Sequence, residues 1–234
     1  MIDVGGTHVK VRIGHAAARK IDSGPDMDAR RMAHAVREAV GDAFDAVSIG
    51  YPGVVLHGRP ASEPHNLASG WVGFNFTRAF GKPVRVANDA AMQAIGAYRG
   101  GRMLFLGLGT GLGTALIVDG TLQAMELAHL PYRKGRTYEE YVGKSGLKRL
   151  GKKKWRSRVA DVVTRLQAAL EVDDVVVGGG NAKLIDRAPR GVRLGSNADA
   201  FAGGERLWRP EWSAQFPLER RKATTKSRSH EEDR

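Results

Sequence analysis

No cysteine occurs anywhere in the 234 residues. That removes disulfides, thiolate zinc sites and cysteine nucleophiles together, and it fits a cytoplasmic chain. Long apolar runs are missing as well. No stretch of eighteen apolar residues appears, so no helix is expected to span a membrane. The opening "MIDVGGTH" has no basic segment followed by an apolar one, which argues against a secretory signal. Acids are scarce: 25 Asp and Glu stand against 37 Lys and Arg, for a formal net charge of +12. Such an excess favours polyanions (nucleic acid, polyphosphate, an acidic membrane), or serves solubility and a charged tail. Composition alone leaves those options open.

What is there is enough for a core. Apolar residues make up 42% of the chain, and the length suits one large domain or two small ones. Residues 8–14, "HVKVRIG", alternate as a strand does. Residues 26–44 carry Met32, Ala33, Val36, Ala39 and Val40 on one helical stripe. "DAVSIGYPG" reads as a buried strand entering a Gly/Pro loop that runs to about Trp71, and "PVRVAND" as a strand before a helix that starts at Asn88–Asp89. "RMLFLGLG" and "GTALIVDG" read as a hairpin, residues 153–170 as a helix, and "DDVVVGGGNAKLI" as strand, glycine turn and helix. Strands alternating with helices predict an α/β protein. The expected division is a first lobe at 1–98, a second at 99–205, and a charged tail at 206–234 without apolar periodicity.

Two glycine-threonine turns echo each other a hundred residues apart. Gly5, Gly6 and Thr7 follow one apolar strand; Gly109, Thr110, Gly111 and Gly113 follow another. Glycines let the backbone approach a ligand closely, and successive free N–H groups form an anion-binding hollow. One such turn is commonly just a hairpin. Two, on facing lobes, suit a chain of phosphates. Lys10 adds a cation just beyond the first turn, and Asp3 a carboxylate just before it. That carboxylate would repel phosphate unless Mg2+ lay between them, held in part through water. Only Met1 and Ile2 precede Asp3, so the first strand is expected to be short.

"DVGGTHVK", "GYPG", "HNLASGW", "VANDAAM", "LGLGTGLGTALIVDG", "ELAHL" and "VVVGGGNAKL" occur in that order. Together they resemble the ROK (repressor, open reading frame, kinase) sugar kinases over about residues 1–205, and more closely the polyphosphate glucokinases within that family. The resemblance implies an actin-like, hexokinase-like (ribonuclease H-like) α/β fold with two lobes around a central cleft, and one phosphate-binding hairpin per lobe. It implies transfer of a phosphoryl group to the 6-hydroxyl of glucose from polyphosphate, ATP or both.

In that setting Asp89, directly after a strand, is the expected general base. Phosphoryl transfer needs alignment, charge neutralisation and an acceptor for the hydroxyl proton. Asn88 either caps the following helix or binds sugar. Glu126 and His129, three apart, would share one face of a helical turn and grip sugar hydroxyls; they match the family's Glu-x-x-His motif, with Ala128 where glycine is usual. Asn66 matches a sugar-binding asparagine. Gly178, Gly179 and Gly180 allow close approach of a nucleotide or phosphate.

Residues 144–158, "KSGLKRLGKKKWRSR", hold eight Lys and Arg and no acid. They are either a solvated face or a landing surface for polyphosphate, with Lys152, Lys153 and Lys154 at its centre. The resemblance also implies what is absent. The family's cysteine-rich zinc motif is missing, so no zinc is expected. No helix-turn-helix precedes the first phosphate motif, so specific DNA binding by that route is not expected. A homodimer is compatible with the family. The alternative reading is a non-enzymatic sugar- or polyanion-binding regulatory protein on the same fold.

Overall fold

The computed structural model describes residues 1–123, 125–189 and 191–219. The first lobe runs β1 (Ile2–Val4), β2 (His8–Val11), β3 (Arg19–Asp22), α1 (Ala29–Val40) and β4 (Val47–Tyr51). It continues with the short pair β5 (Val55–Leu56) and β6 (Arg59–Pro60), then α2 (Phe76–Phe80) and β7 (Val84–Asn88). Helix α3 (Asp89–Ala97) leads into β8 (Arg102–Leu108), β9 (Leu112–Val118), β10 (Thr121–Gln123), β11 (Pro131–Arg133) and β12 (Arg136–Thr137). There follow α4 (Tyr138–Val142), α5 (Lys144–Leu170), β13 (Asp174–Gly178), β14 (Val192–Leu194), α6 (Asn197–Arg206) and α7 (Pro210–Ser213).

The two large sheets are built alike. Their orders are β3-β2-β1-β4-β7 and β10-β9-β8-β13-β14. In each, three strands form an antiparallel meander and two more join in parallel. β1 and β8 hold equivalent central places, and each runs into a glycine turn. The echo in the sequence is thus an echo of position in the sheet.

Apolar stripes set the packing. Asp28 caps α1 by accepting the Arg31 N–H at 2.7 Å, and the helix buries Ala29, Met32, Ala33 and Val36 with Val4, Val9 and Ile49 in one core. In the second lobe Trp155, Val159, Val162, Val163 and Leu166 pack with β8 and β13. Their three- and four-residue spacing is the helical period. The helix expected over 153–170 begins earlier, at Lys144, and is broken at Gly151 (φ 69°, ψ 160°). A left-handed φ with an extended ψ interrupts the hydrogen-bond ladder and redirects the axis.

Helices α3 and α6 cross with their backbones in contact. A Cβ on Gly96 would overlap the Asp199 carbonyl, and one on Gly203 would overlap that of Met92. Helix α6 also reaches the first lobe, where Ser48 Oγ donates to the Gly204 carbonyl at 2.6 Å.

Residues 207–219, expected to belong to a charged tail at 206–234, are instead packed against the rest of the chain. Leu207, Trp212 and Phe216 are buried. Arg85 donates to the carbonyls of Ser213 and Phe216 and lies 4.9 Å from the Trp208 ring centroid. Gln215 pairs with Leu122 N–H and Gly120 C=O, each at 2.8 Å, and the Glu219 carboxylate accepts the Thr77 N–H at 2.6 Å. Residues 207–219 therefore strap the two lobes together. The apolar residues there are too irregularly spaced to show a period, and charge dominates the composition. Residues 220–234 lie outside the described residues. Among the described residues no helix is long and apolar enough to cross a membrane.

Candidate active site

Strand register gathers the first half of the site. Asp3 on β1 pairs with Lys10 on β2 and with Gly50 on β4; Gly50 pairs with Ala87 on β7, two residues before Asp89. Neighbouring strands lie about 4.8 Å apart, so Asp3 and Asp89 leave the sheet on strands roughly 10 Å apart. Gly50 stands between them, and a Cβ there would come 3.8 Å from the Asp3 carboxylate. Lys10 Nζ donates to Asp3 Oδ2 at 3.2 Å.

The first glycine turn is tight. The Gly5 N–H donates to the His8 carbonyl at 3.1 Å, and the Ser23 hydroxyl and N–H secure the carbonyls of Gly5 and Thr7. Gly6 and Thr7 remain exposed. A Cβ on Gly6 would stand 3.0 Å from the Asn66 Cβ, so the loop bearing Asn66 abuts this turn.

Asp89 opens α3. Asn88 caps that helix, its Oδ1 accepting the N–H groups of Ala90 and Ala91 at 3.0 and 3.2 Å, while its Nδ2 donates to the Gly53 carbonyl at 3.0 Å. The cap is thus made, and one amide hydrogen of Asn88 is left for another partner. The half-buried Asp89 accepts the Ala90 N–H at 2.8 Å. Loss of water, and secondly the nearby charge of Asp3, push its pKa up to about 7, against the pull of the backbone N–H groups.

The second glycine turn is held from both sides. Thr110 C=O accepts the Lys144 N–H at 3.0 Å, and Leu108 C=O the Asn181 N–H at 2.9 Å. Asn181 Nδ2 donates to the Gly109 carbonyl at 2.9 Å. Gly179, with φ +81°, packs so closely on the Leu108 backbone that a Cβ there would overlap it. The turn at Gly178, Gly179 and Gly180 is therefore joined to the base of the hairpin. At the hairpin's other edge, a Cβ on Gly113 would stand 2.8 Å from the Ala90 Cβ. The second glycine hairpin and the start of the Asp89 helix are in contact.

Thr114 brings in the Glu-x-x-His segment. Its hydroxyl donates to the Met125 carbonyl at 3.1 Å and accepts the Leu127 N–H at 3.2 Å. The helical turn expected for Glu126 and His129 is absent. Residues 128–130 form a turn closed by Leu130 N–H to Leu127 C=O at 3.2 Å, and Glu126 Oε1 accepts the Ala128 N–H. Four residues carry too few backbone bonds to stabilise a helix. Both side chains are exposed.

Sequence reasoning passed over Glu139. Its Oε2 accepts the Leu112 N–H at 3.2 Å, and its own N–H donates to the Ala128 carbonyl at 3.0 Å. It joins the second hairpin to the Glu126–His129 turn. The signal nearby was the capping box Thr137–Glu140, which explains Glu140 and hides its neighbour. Lys152, Lys153 and Lys154 are exposed on α5 beyond Gly151.

Mg2+ fits this donor set. Among the described residues no cluster of three or more His, Asp or Glu could hold a metal alone, but Mg2+ ordinarily takes one or two carboxylates together with substrate phosphates. The Asp3 side chain is 18% exposed beside the first turn and can be one of them.

No protein-family model matches the chain. It is 30% identical over 158 residues to the polyphosphate glucokinase of Mycobacterium tuberculosis (strain ATCC 25618 / H37Rv), a match that covers 60% of this chain and 58% of that protein. The chain thus spans under two-thirds of the curated relative's length. Its structure superposes on that of the inorganic polyphosphate/ATP-glucomannokinase from Arthrobacter sp. strain KM with a TM-score of 0.75, at 24% identity, covering 92% of this chain and 97% of the other. A ROK family glucokinase from Streptomyces griseus, solved with glucose and AMPPNP, gives a TM-score of 0.67 at 18% identity over 88% and 97%. The chain has the two-lobed α/β fold of these kinases, and part of its sequence is similar to a polyphosphate glucokinase.

Proposed function

We propose that the chain is a hexose kinase that moves a phosphoryl group from polyphosphate or ATP to the 6-hydroxyl of glucose. The observation that carries this reading is Asp89. It sits at the start of α3, against the second glycine hairpin, with a carboxyl whose pKa is pushed up to about 7. A base poised near neutrality accepts a hydroxyl proton with little driving-force penalty. In this reading the sugar oxygen attacks the terminal phosphorus, its proton passes to Asp89, and the shortened donor leaves with the bridging oxygen.

Asn66, Asn88, Glu126 and His129 would hold the sugar, with Glu139 fixing the turn that carries the last pair. Gly5, Gly6, Thr7 and Lys10 on one lobe, and Gly109, Thr110 and Gly111 on the other, would cradle the phosphates. The turn at 178–180 and Lys152–Lys154 would take the rest of the donor. Mg2+ at Asp3 would neutralise donor charge. A cytoplasmic location goes with this reading.

Calorimetric titration with glucose tests it. The expected result is one specific sugar site that Glu126→Ala abolishes without loss of fold. No heat with glucose or other hexoses would leave the chain a polyanion-binding protein on a kinase fold.

A further inference from the structure

The cations of the second lobe divide into two kinds. Its arginines are mostly engaged. Arg149 donates to the Glu140 carbonyl at 2.7 Å and lies over the Tyr141 ring. Arg156 pairs with Asp186, and Arg133 and Arg165 both pair with Asp161. The lysines around the second glycine turn are different. Lys144, Lys148 and Lys183 are exposed, and none forms an ion pair among the described residues.

Their positions follow from backbone bonds already described. Lys144 is the residue whose N–H is fixed to the Thr110 carbonyl. Lys148 lies one turn further on the same helical face, about 6 Å along the axis. Lys183 is two residues beyond Asn181, which grips the opposite side of the hairpin through Gly109 and Leu108. Unpaired lysines thus follow both clamps on the turn. Lys152, Lys153 and Lys154 stand on the far side of the Gly151 break. Acids close to them in sequence have other partners: Glu139 accepts the Leu112 N–H, Glu140 accepts the Thr137 N–H in its capping box, and Asp186 pairs with Arg156.

We propose that Lys144, Lys148 and Lys183 form an inner cationic clamp for inorganic polyphosphate, holding the phosphates next behind the transferred one, while Lys152–Lys154 contact only the distant chain. This rests on the phosphoryl-transfer reading above. Lysine suits the task because its ammonium is a mobile point charge that tolerates the irregular geometry of a flexible polyanion. A bound polyanion sheds condensed counterions as each lysine neutralises a phosphate, so each contact adds a salt-sensitive increment. The two groups of lysines then differ in the donor length at which they begin to matter.

The test is binding of tetrapolyphosphate and of long-chain polyphosphate, by calorimetry at several salt concentrations, with turnover on glucose measured in parallel. Two variants are compared: Lys144→Gln/Lys148→Gln/Lys183→Gln and Lys152→Gln/Lys153→Gln/Lys154→Gln. The inner variant is expected to lose about tenfold or more in affinity for both chains, and its log–log salt slope should become shallower by about 2. The outer variant should weaken the long chain alone. The matching Lys→Arg inner variant, which keeps the charge, should bind as the wild type does.

If the inner variant holds tetrapolyphosphate within about twofold of wild type, or if the outer variant loses it equally, the clamp is wrong even when glucose is still phosphorylated. No polyphosphate binding by the wild type overturns it as well. If the binding pattern holds but no phosphate reaches any sugar, the clamp stands and the kinase reading fails.

Discussion

Replacing Asp89 by asparagine should stabilise the protein, and chiefly at the alkaline end of its range. The Asp89 carboxyl rises from 3.8 to about 7 on folding, chiefly through lost hydration. Between those values the folded state binds a proton that the unfolded chain has released, so stability falls as pH rises from about 4 to about 7 and then levels off. At 1.36 kcal/mol for each pH unit of that interval, the upper limit is about 4 kcal/mol. The group is half-buried, so we expect about 2 kcal/mol. Asparagine keeps the oxygen that accepts the Ala90 N–H at 2.8 Å, and it carries no charge to desolvate.

Urea unfolding followed by tryptophan fluorescence is a suitable assay, since Trp71 and Trp155 are fully buried reporters, one in each lobe. At about pH 4 the Asp89→Asn variant and wild type should unfold nearly together. At about pH 8 the variant should have the higher midpoint at equal slope. An Asp89→Asn protein that is less stable than wild type at the higher pH, or a difference that does not grow with pH, would refute the burial argument.

The same ionisation should shape activity: kcat/KM should fall about tenfold from pH 8 to pH 6 as Asp89 takes up its proton, and Asp3→Asn should move that limb to lower pH by removing a like charge. Gly203→Ala should cost more than about 3 kcal/mol, because the new Cβ meets the Met92 carbonyl and forces α3 and α6 apart; a midpoint near wild type in thermal unfolding would contradict it. Trp155→Ala should cost about 3–5 kcal/mol, since it empties the second core and strands the Val142 carbonyl that accepts the indole N–H at 2.8 Å.

The parts legible in the sequence are those written in short-range chemistry. Two glycine turns after apolar strands point to two equivalent hairpins, and "VAND" puts a carboxylate at the end of a strand. What stays hidden depends on long-range contact. Glu139 acquires its role only when α4 packs on the second hairpin, and its neighbour's capping box offers a sufficient local reason for acids there. The strap at 207–219 is charged in composition, yet Arg85 and Thr77 from the first lobe and Leu122 from the second give its backbone and side chains their partners. The Gly151 break is hidden for a similar reason. A glycine among lysines reads as a solvated helix face, and only the packing of Trp155 on one side and α4 on the other fixes where the axis turns.

The central claim is that Asp89 is the base of a sugar phosphotransferase, and product formation tests it most directly. Wild type and Asp89→Ala are incubated with glucose and Mg2+, with ATP and polyphosphate as separate donors, and glucose 6-phosphate is measured. The account predicts transfer by the wild type and a loss of about a thousandfold or more in the variant, because the proton acceptor and part of the alignment go together. Near-normal turnover by Asp89→Ala would contradict it.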